Sequence, residues 1–387
     1  MTTAATRRQV LRQGLATGLG CSLGLGGAHA HPAAAPAPGR VGAGALARVD
    51  RYARQWLKDQ QMPGLALALL QDGEPLLAAG LGWGDVGRQH AVTVDTRFAL
   101  CSISKPLLCC AAQLMVEDGQ LRLDQRLADL IDGLPEPWQA ITLQQLMQHT
   151  AGLAPNVDIT DPEVRALFPR NYGEAQWLPL VARLPLQSPP GQRFLYSNIG
   201  YNLLASAVSR LAGRPYEQVL AQRLFEPLGM TSARLMAPTP GFADMASPHQ
   251  RRAGVIVDIG AEQPPGVRSW MAAGCGGFEM SLRDMIQWER ALQGWGRFKP
   301  YRAVFEKLWA QGVPTGEGPA YGRGWNFQRD TAGRLQVWHE GQSEGFSVRL
   351  ERFPELGRAL ILLGNLGDFK PGDLGRALRD LAWQARA

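Results

Sequence analysis

Apolar residues recur at helical spacing from Ala45 to Gln60, at Leu46, Val49, Tyr52, Ala53, Trp56 and Leu57, until Pro63-Gly64 stops the run. Leu65 to Leu70 and Pro75 to Leu81 then flank Asp72-Gly73, a pattern that predicts two strands joined by a hairpin. Thr96 to Leu100 is a short approach to a run from Leu107 to Val116 that is apolar nearly all round. A helix without a polar face belongs in a core, and Asp118-Gly119 supplies its left-handed stop. From Leu121 to Arg223 the pattern is mostly helical with proline-rich joints. Thr142 to Met147 reads as a capped helix, followed by a turn at His149-Thr150-Ala151-Gly152-Leu153. Further helices run from Ile199 to Ala212 and from Tyr216 to Leu224. Met230 to Gly274 reads as loops with a short strand at Val255 to Ile259, and a helix from Leu282 to Leu292 begins behind Ser281. The last hundred residues change period. Gly324 to Arg329, Leu335 to His339, Phe346 to Phe353 and Ala359 to Leu363 predict strands, and Gly372 to Ala385 a closing helix. Strands at both ends with helices between predict one α+β domain over residues 45–387. It has an α/β part at about 45–100 and 275–387 and a mainly helical part inserted at about 101–274.

Composition narrows the class. The chain has 387 residues, 45% hydrophobic and 19% charged, as expected of a globular protein with a large core. The formal charge is +6, but Arg7, Arg8 and Arg12 supply half of it. The remainder is too mildly basic to argue for nucleic acid. Residues 1–30 read as a leader of the twin-arginine type. Thr6-Arg7-Arg8-Gln9-Val10-Leu11-Arg12 precedes a weakly apolar glycine-rich stretch, and Ala28-His29-Ala30 forms a cleavage site. A lipid anchor on Cys21 is disfavoured by Gly18, which stands where a larger aliphatic residue is wanted. Residues 31–44, rich in Ala and Pro, read as a linker. The expectation is export to the periplasm or beyond without stable membrane insertion. Cys101, Cys109, Cys110 and Cys275 remain after the leader. They offer no C-x-x-C and no spacing with histidine for zinc, so neither metal nor cofactor is expected; a Cys101–Cys275 bridge stays open. Oligomeric state is not legible.

The chemistry concentrates at Ser102-Ile103-Ser104-Lys105. Residues i and i+3 of a helix share a face, so Ser102 and Lys105 stand side by side at the mouth of a buried helix. The chain holds only five lysines among 40 Lys and Arg residues. A lysine, unlike an arginine, can give up its proton when desolvated. Two clusters follow in order: Tyr196-Ser197-Asn198, and His339-Glu340-Gly341 on a predicted strand. With these three clusters the sequence resembles the serine β-lactamase and penicillin-binding-protein superfamily. It looks most like the class C-type branch, which includes D-Ala-D-Ala carboxypeptidases, D-aminopeptidases and family VIII esterases. Gln148-His149-Thr150-Ala151-Gly152-Leu153, Pro190 to Asn198, Phe225-Glu226-Pro227-Leu228-Gly229-Met230 and Tyr321-Gly322-Arg323-Gly324-Trp325 match as well, so the resemblance spans about Leu46 to Leu381.

The resemblance implies a β-lactamase/transpeptidase-like fold, an antiparallel sheet flanked by helices with an inserted mainly helical region, and acyl-enzyme chemistry. Ser102 is the nucleophile, Lys105 its base, and Tyr196 a phenol that relays protons with Lys105. Asn198 orients Lys105 and the substrate, and backbone N–H groups of Ser102 and Gln342 receive the oxyanion. Gly341, lacking a side chain, would let an acyl group approach the strand, and Asn156 would place an amide over the site. His149 lies in a turn that calls for a structural hydrogen bond, and Asn365 ends the next strand. The third cluster departs from the Lys-Thr-Gly of penicillin-recognising members, because His339 offers charge only at lower pH and Glu340 repels anions. The reading is therefore a serine hydrolase acting on small esters or D-amino-acid amides and peptides, with a class C-type β-lactamase as the alternative. A catalytically silent peptidoglycan-binding module is opposed by the joint presence of Ser102, Lys105 and Tyr196. Gly341-Gln342-Ser343-Glu344-Gly345 fits the G-x-S-x-G pattern of α/β-hydrolases. That motif needs a helix next and a histidine later; a strand pattern follows instead, and no histidine comes after His339.

Overall fold

Leu65, Leu67 and Leu69 alternate with Ala66, Ala68 and Leu70, so a strand here presents a bulky apolar face on one side and a mostly smaller apolar face on the other. A computed structural model, describing residues 41–157, 173–236, 244–260, 272–316 and 318–383, places this strand third from one edge of a nine-stranded sheet. Strand β1 (Gly64–Gln71) is buried along its whole length. It pairs with β2 (Glu74–Asp85) through Asp72 and Gly73, both with positive φ, as a two-residue hairpin turn matching the strand twist requires. Strand β3 (His90–Ala91) extends that edge. A small second sheet joins β4 (Arg97–Ala99), β5 (Arg234–Leu235) and β8 (Phe278–Ser281), and β6 (His249–Arg252) pairs with β7 (Val255–Asp258). The C-terminal strands complete the large sheet: β9 (Val313–Pro314), β10 (Ala320–Tyr321), β11 (Asn326–Arg329), β12 (Leu335–Gln342), β13 (Ser347–Phe353) and β14 (Arg358–Gly364). Its order is β3-β2-β1-β14-β13-β12-β11-β10-β9, with β1 antiparallel to β14 and Leu67 opposite Leu362.

The sheet separates two apolar clusters. Leu65, Leu67, Leu69, Leu360 and Leu362 face Val49, Ala53 and Leu57 of the N-terminal helix α1 (Ala43–Asp59) and Leu374 and Leu378 of the last helix (Pro371–Trp383). Ala66, Ala68, Ile361 and Leu363 face the opposite and larger cluster. That cluster holds the central helix α2 (Ser104–Glu117), buried from Ser104 through Gln113, as its lack of a polar face predicts. The described residues show the α+β arrangement expected, an antiparallel sheet with helices on both sides. In the inserted part, the described helices between Leu121 and Arg223 are α3 (Leu143–Met147), α4 (Glu174–Val181), α5 (Asn198–Ala212) and Tyr216–Leu220, the last continued by a wider turn at Ala221–Phe225. Single tight helical turns stand at Leu127–Asp129 and Glu136–Trp138, with irregular chain between. Prolines at 135, 137, 155, 185, 189 and 190 interrupt the apolar periodicity there. Thr142 does cap α3, accepting from the Gln145 N–H while the Gln145 side chain reaches back. The segment read as loops contributes β5 and β6, and α1 begins at Ala43, inside the stretch read as linker. The leader and nearly all of the linker lie outside the described residues. No helix among the described residues is long and apolar enough to cross a membrane.

Candidate active site

Ser102 occupies a single tight turn, Cys101–Ile103, that runs directly into α2. Cys101 has φ of +47°, a region that residues with a Cβ seldom adopt and hold only where their surroundings fix them. The surroundings here are β8 and β12. Leu100 N–H donates to the Phe278 carbonyl at 2.9 Å, and Phe278 N–H donates to the Ser104 hydroxyl at 3.1 Å. Of the two serines in the motif, Ser104 is thus a buried brace and Ser102 the half-buried one. From the other side β12 comes so close that a Cβ on Gly341 would stand 2.3 Å from the Leu100 carbonyl oxygen. Gly341 therefore admits the chain's own backbone to the strand, a role its reading as a space for an acyl group did not include.

Lys105 is fully buried, yet its Nζ has two oxygen partners. It donates to Ser102 Oγ at 2.9 Å and to the Cys275 carbonyl at 2.8 Å. That carbonyl is set by Asn202 on α5, whose Oδ1 accepts from the N–H groups of Gly274 at 3.0 Å and Cys275 at 3.2 Å. Close approach is possible because Gly274 has no Cβ; one there would lie 2.2 Å from the Tyr201 carbonyl oxygen. The Lys105 Nζ also sits 4.8 Å from the ring centre of Tyr196 and 5.6 Å from that of Tyr201. Tyr196 thus meets Lys105 through its ring; among the described residues its hydroxyl has no hydrogen bond to Lys105 or Ser102.

Two buried imidazoles border this cation. His149 accepts from the Ser197 N–H at 3.0 Å, the structural hydrogen bond expected of it, and packs between the rings of Tyr196, Tyr201 and Tyr321. Burial, and then the charge of Lys105, push its pKa well below the ordinary histidine range. His339 has Nδ1 2.6 Å from the Glu340 carbonyl oxygen, which can only accept, so Nδ1 carries the proton and Nε2 accepts from the Tyr321 hydroxyl at 3.1 Å. Burial and the Lys105 charge lower the His339 pKa to about 3. His339 is therefore neutral far below the pH at which a free histidine would charge. Glu340 points to the exposed side and pairs with Arg349.

Asn198 lies at the start of α5, where Ser197 caps the helix by accepting from the Gly200 N–H. Its Nδ2 donates to Asn156 Oδ1 at 2.7 Å, so these two residues meet each other, and Asn198 has no hydrogen bond to Lys105. Gln342 ends β12. Ser343 N–H bonds across to the Phe346 carbonyl at 2.9 Å, and strand alternation turns the Gln342 N–H to the opposite side, where β11 stops short at Asn326 opposite Trp338. The Ser102 N–H lies in a first turn and has no intrahelical acceptor. Asn365 is fully buried and ties the carbonyls of Trp83, Gly84 and Ser247 together, away from this chemistry. Cys101, Cys109, Cys110 and Cys275 are free thiols, so no Cys101–Cys275 bridge is formed. Among the described residues no cluster of three or more His, Cys, Asp or Glu side chains is placed to hold a metal ion.

The family model described as Beta-lactamase matches residues 49–383. The chain belongs to the beta-lactamase family. A D-aminopeptidase of Brucella anthropi is 27% identical over 310 residues, covering 78% of this chain and 56% of that protein. The D-alanyl-D-alanine-carboxypeptidase/endopeptidase AmpH of Escherichia coli is 26% identical over 330 residues, covering 79% of this chain and 80% of its own length. The structure of a Beta-Lactamase/D-Alanine Carboxypeptidase from Pseudomonas syringae shares the fold, with a TM-score of 0.73 at 20% identity over 89% of this chain and 100% of that one. This family member spans little more than half the length of the D-aminopeptidase.

Proposed function

We propose that this chain is an exported serine hydrolase that forms an acyl-enzyme on Ser102 and cleaves small esters or D-amino-acid amides and peptides. The observation that carries the reading is the buried Lys105 Nζ, 2.9 Å from Ser102 Oγ and anchored on the Cys275 carbonyl. Once Lys105 has given up its proton, the amine, with one N–H held by that carbonyl, can turn its lone pair to the serine and take its proton as Oγ attacks a carbonyl carbon. The N–H groups of Ser102 and Gln342 are the donors for the oxygen that gains charge. As the bond to the leaving group breaks, the proton taken from Ser102 passes from Lys105 by way of the Tyr196 phenol to the departing nitrogen or oxygen. Water then adds to the acyl carbon, and its proton passes through Lys105 to Ser102 Oγ as the Oγ–acyl bond breaks. D-aminopeptidase and carboxypeptidase relatives support amides of D-residues as one substrate class. A neutral His339 supports uncharged acyl groups over β-lactams, since it provides no fixed positive charge for a substrate carboxylate. Export rests on Arg7-Arg8 and Ala28-His29-Ala30 alone.

The test is covalent. Incubation with a fluorophosphonate followed by peptide mass spectrometry is expected to find the label on Ser102, and Ser102→Ala is expected to abolish turnover of p-nitrophenyl esters while the protein stays folded. Label on another serine, or none, refutes the mechanism. Lys105→Arg is expected to lose at least about 10²-fold in kcat, the low end of general-base contributions. Hydrolysis of a chromogenic cephalosporin as fast as that of small esters would favour the β-lactamase reading instead.

A further inference from the structure

The last helix, Pro371–Trp383, borders a cavity of about 270 Å³ that shares no residue with the Ser102 site. Arg334, Arg358, Arg376 and Arg379 converge on it against two carboxylates, Asp330 and Asp380, and Phe353 and Trp383 supply aromatic walls. Two of the arginines are already partnered: Arg334 with Asp330 at 2.7 Å, and Arg379 with Glu351 at 3.1 Å. Arg376 reaches Asp373 only at 3.9 Å and is largely in solvent.

Arg358 is different. It is 9% exposed, its guanidinium lies 5.5 Å from the Trp383 ring centre, and its Nε has no hydrogen-bond partner. Among the described residues no acceptor and no ion pair meets any of its nitrogens. Arg379 Nε and Trp383 Nε1 beside the cavity are also without partners. A guanidinium whose Nε is buried and which has no ion-pair partner is costly, and here burial and the facing charge of Arg334 both disfavour its protonated form, with Asp72 opposing them more weakly. A bound anion would relieve both. Forked guanidinium donors suit a tetrahedral or planar oxyanion, and the aromatic walls suit an apolar substituent on it.

We propose that the cavity between Arg358, Arg376 and Trp383 is a binding site for a small oxyanion, a phosphate or carboxylate group carried on a compact apolar body. Phenyl phosphate and benzoate, titrated calorimetrically into the full chain, test it and separate the two head groups. The expected result is saturable 1:1 binding of at least one of them, weakened tenfold or more by both Arg358→Gln and Arg376→Glu. Because the Arg376 side chain is exposed, Arg376→Glu remains informative if Arg358→Gln does not fold. No saturable binding of either probe up to about 10 mM, a range in which a contact worth about 3 kcal/mol still registers, overturns the proposal. So does binding that Arg376→Glu leaves unchanged.

Discussion

Lys105 and the imidazole of His339 show how much a single side chain's meaning depends on what covers it. Both were legible as residue types at the right spacing. The partner that fixes Lys105, the Cys275 carbonyl, was not, because a backbone oxygen carries no signature in the sequence. Asn202, which sets that carbonyl, is the one amide in the mostly apolar run from Ile199 to Val208 and could have been singled out on that ground. Tyr321 appeared only within a matching stretch; its hydroxyl donates to Nε2 of the His339 tautomer that the Glu340 carbonyl fixes. The sign of the linkage follows. The His339 pKa is about 3 when folded and near 6.5 when unfolded, so below pH 6.5 unfolding takes up a proton. The stability is fully present above pH 6.5 and is lost as pH falls toward 3, at up to about 1.4 kcal/mol per pH unit from this residue. His149, lowered in the same direction, adds to the slope. Urea unfolding at pH 7, 6, 5 and 4 is expected to show this decline, and His339→Gln to make it shallower by up to one proton. An unchanged slope in the variant would mean that His339 charges in the folded protein.

At the scale of elements, alternation and capping carried most of the reading. Period-two patterns located β1, β12, β13 and β14 to within a few residues, and Asp72-Gly73 marked the hairpin. Strand β8 was missed: Phe278-Glu279-Met280-Ser281 does alternate apolar and polar, but a run of four is too short to stand out, yet it braces the turn of Ser102. The helical part is divided into short helices because prolines break a periodicity that the apolar positions alone suggest. Gly341 illustrates an element-level constraint that looked like a substrate contact. A methyl there would meet the Leu100 backbone oxygen at 2.3 Å, Val348 Cγ2 at 2.8 Å and Cys101 Cβ at 2.9 Å. The first of these is backbone on the approach to the nucleophile, so β12 and that turn must separate. Gly341→Ala is expected to fold, to cost about 1–3 kcal/mol as overpacking does, and to lower kcat/KM at least tenfold. Thermal melts and ester kinetics on the same preparation measure both. A variant with lower stability and unaltered kcat/KM would show that the strand can shift without moving Ser102.

For the whole molecule, the decisive pairing joins the ends of the domain: Leu65 to Gln71 lies antiparallel to Arg358 to Gly364. Nothing local predicts this partner, although strands from both termini required a sheet of shared origin. The pairing places a layer of helix behind the sheet, separate from the cluster that holds α2 and Ser102. Stability and catalysis should therefore respond differently to defects on the two faces. Leu67 and Leu362 sit opposite each other in register, 1% and 0% exposed, in the cluster away from Ser102. Leu67→Ala and Leu362→Ala are each expected to cost about 2–5 kcal/mol through lost burial and the cavity left behind. Residues in direct contact share that cavity, so the double variant is expected to depart from the sum of the two by more than about 0.5 kcal/mol. Urea midpoints measure the cost. Ester kinetics well below the unfolding transition are expected to remain within about threefold of wild type, under 1 kcal/mol on the barrier. A large loss of kcat in either single variant, with the fold intact, would mean that the sheet transmits strain from its rear layer to the turn of Ser102.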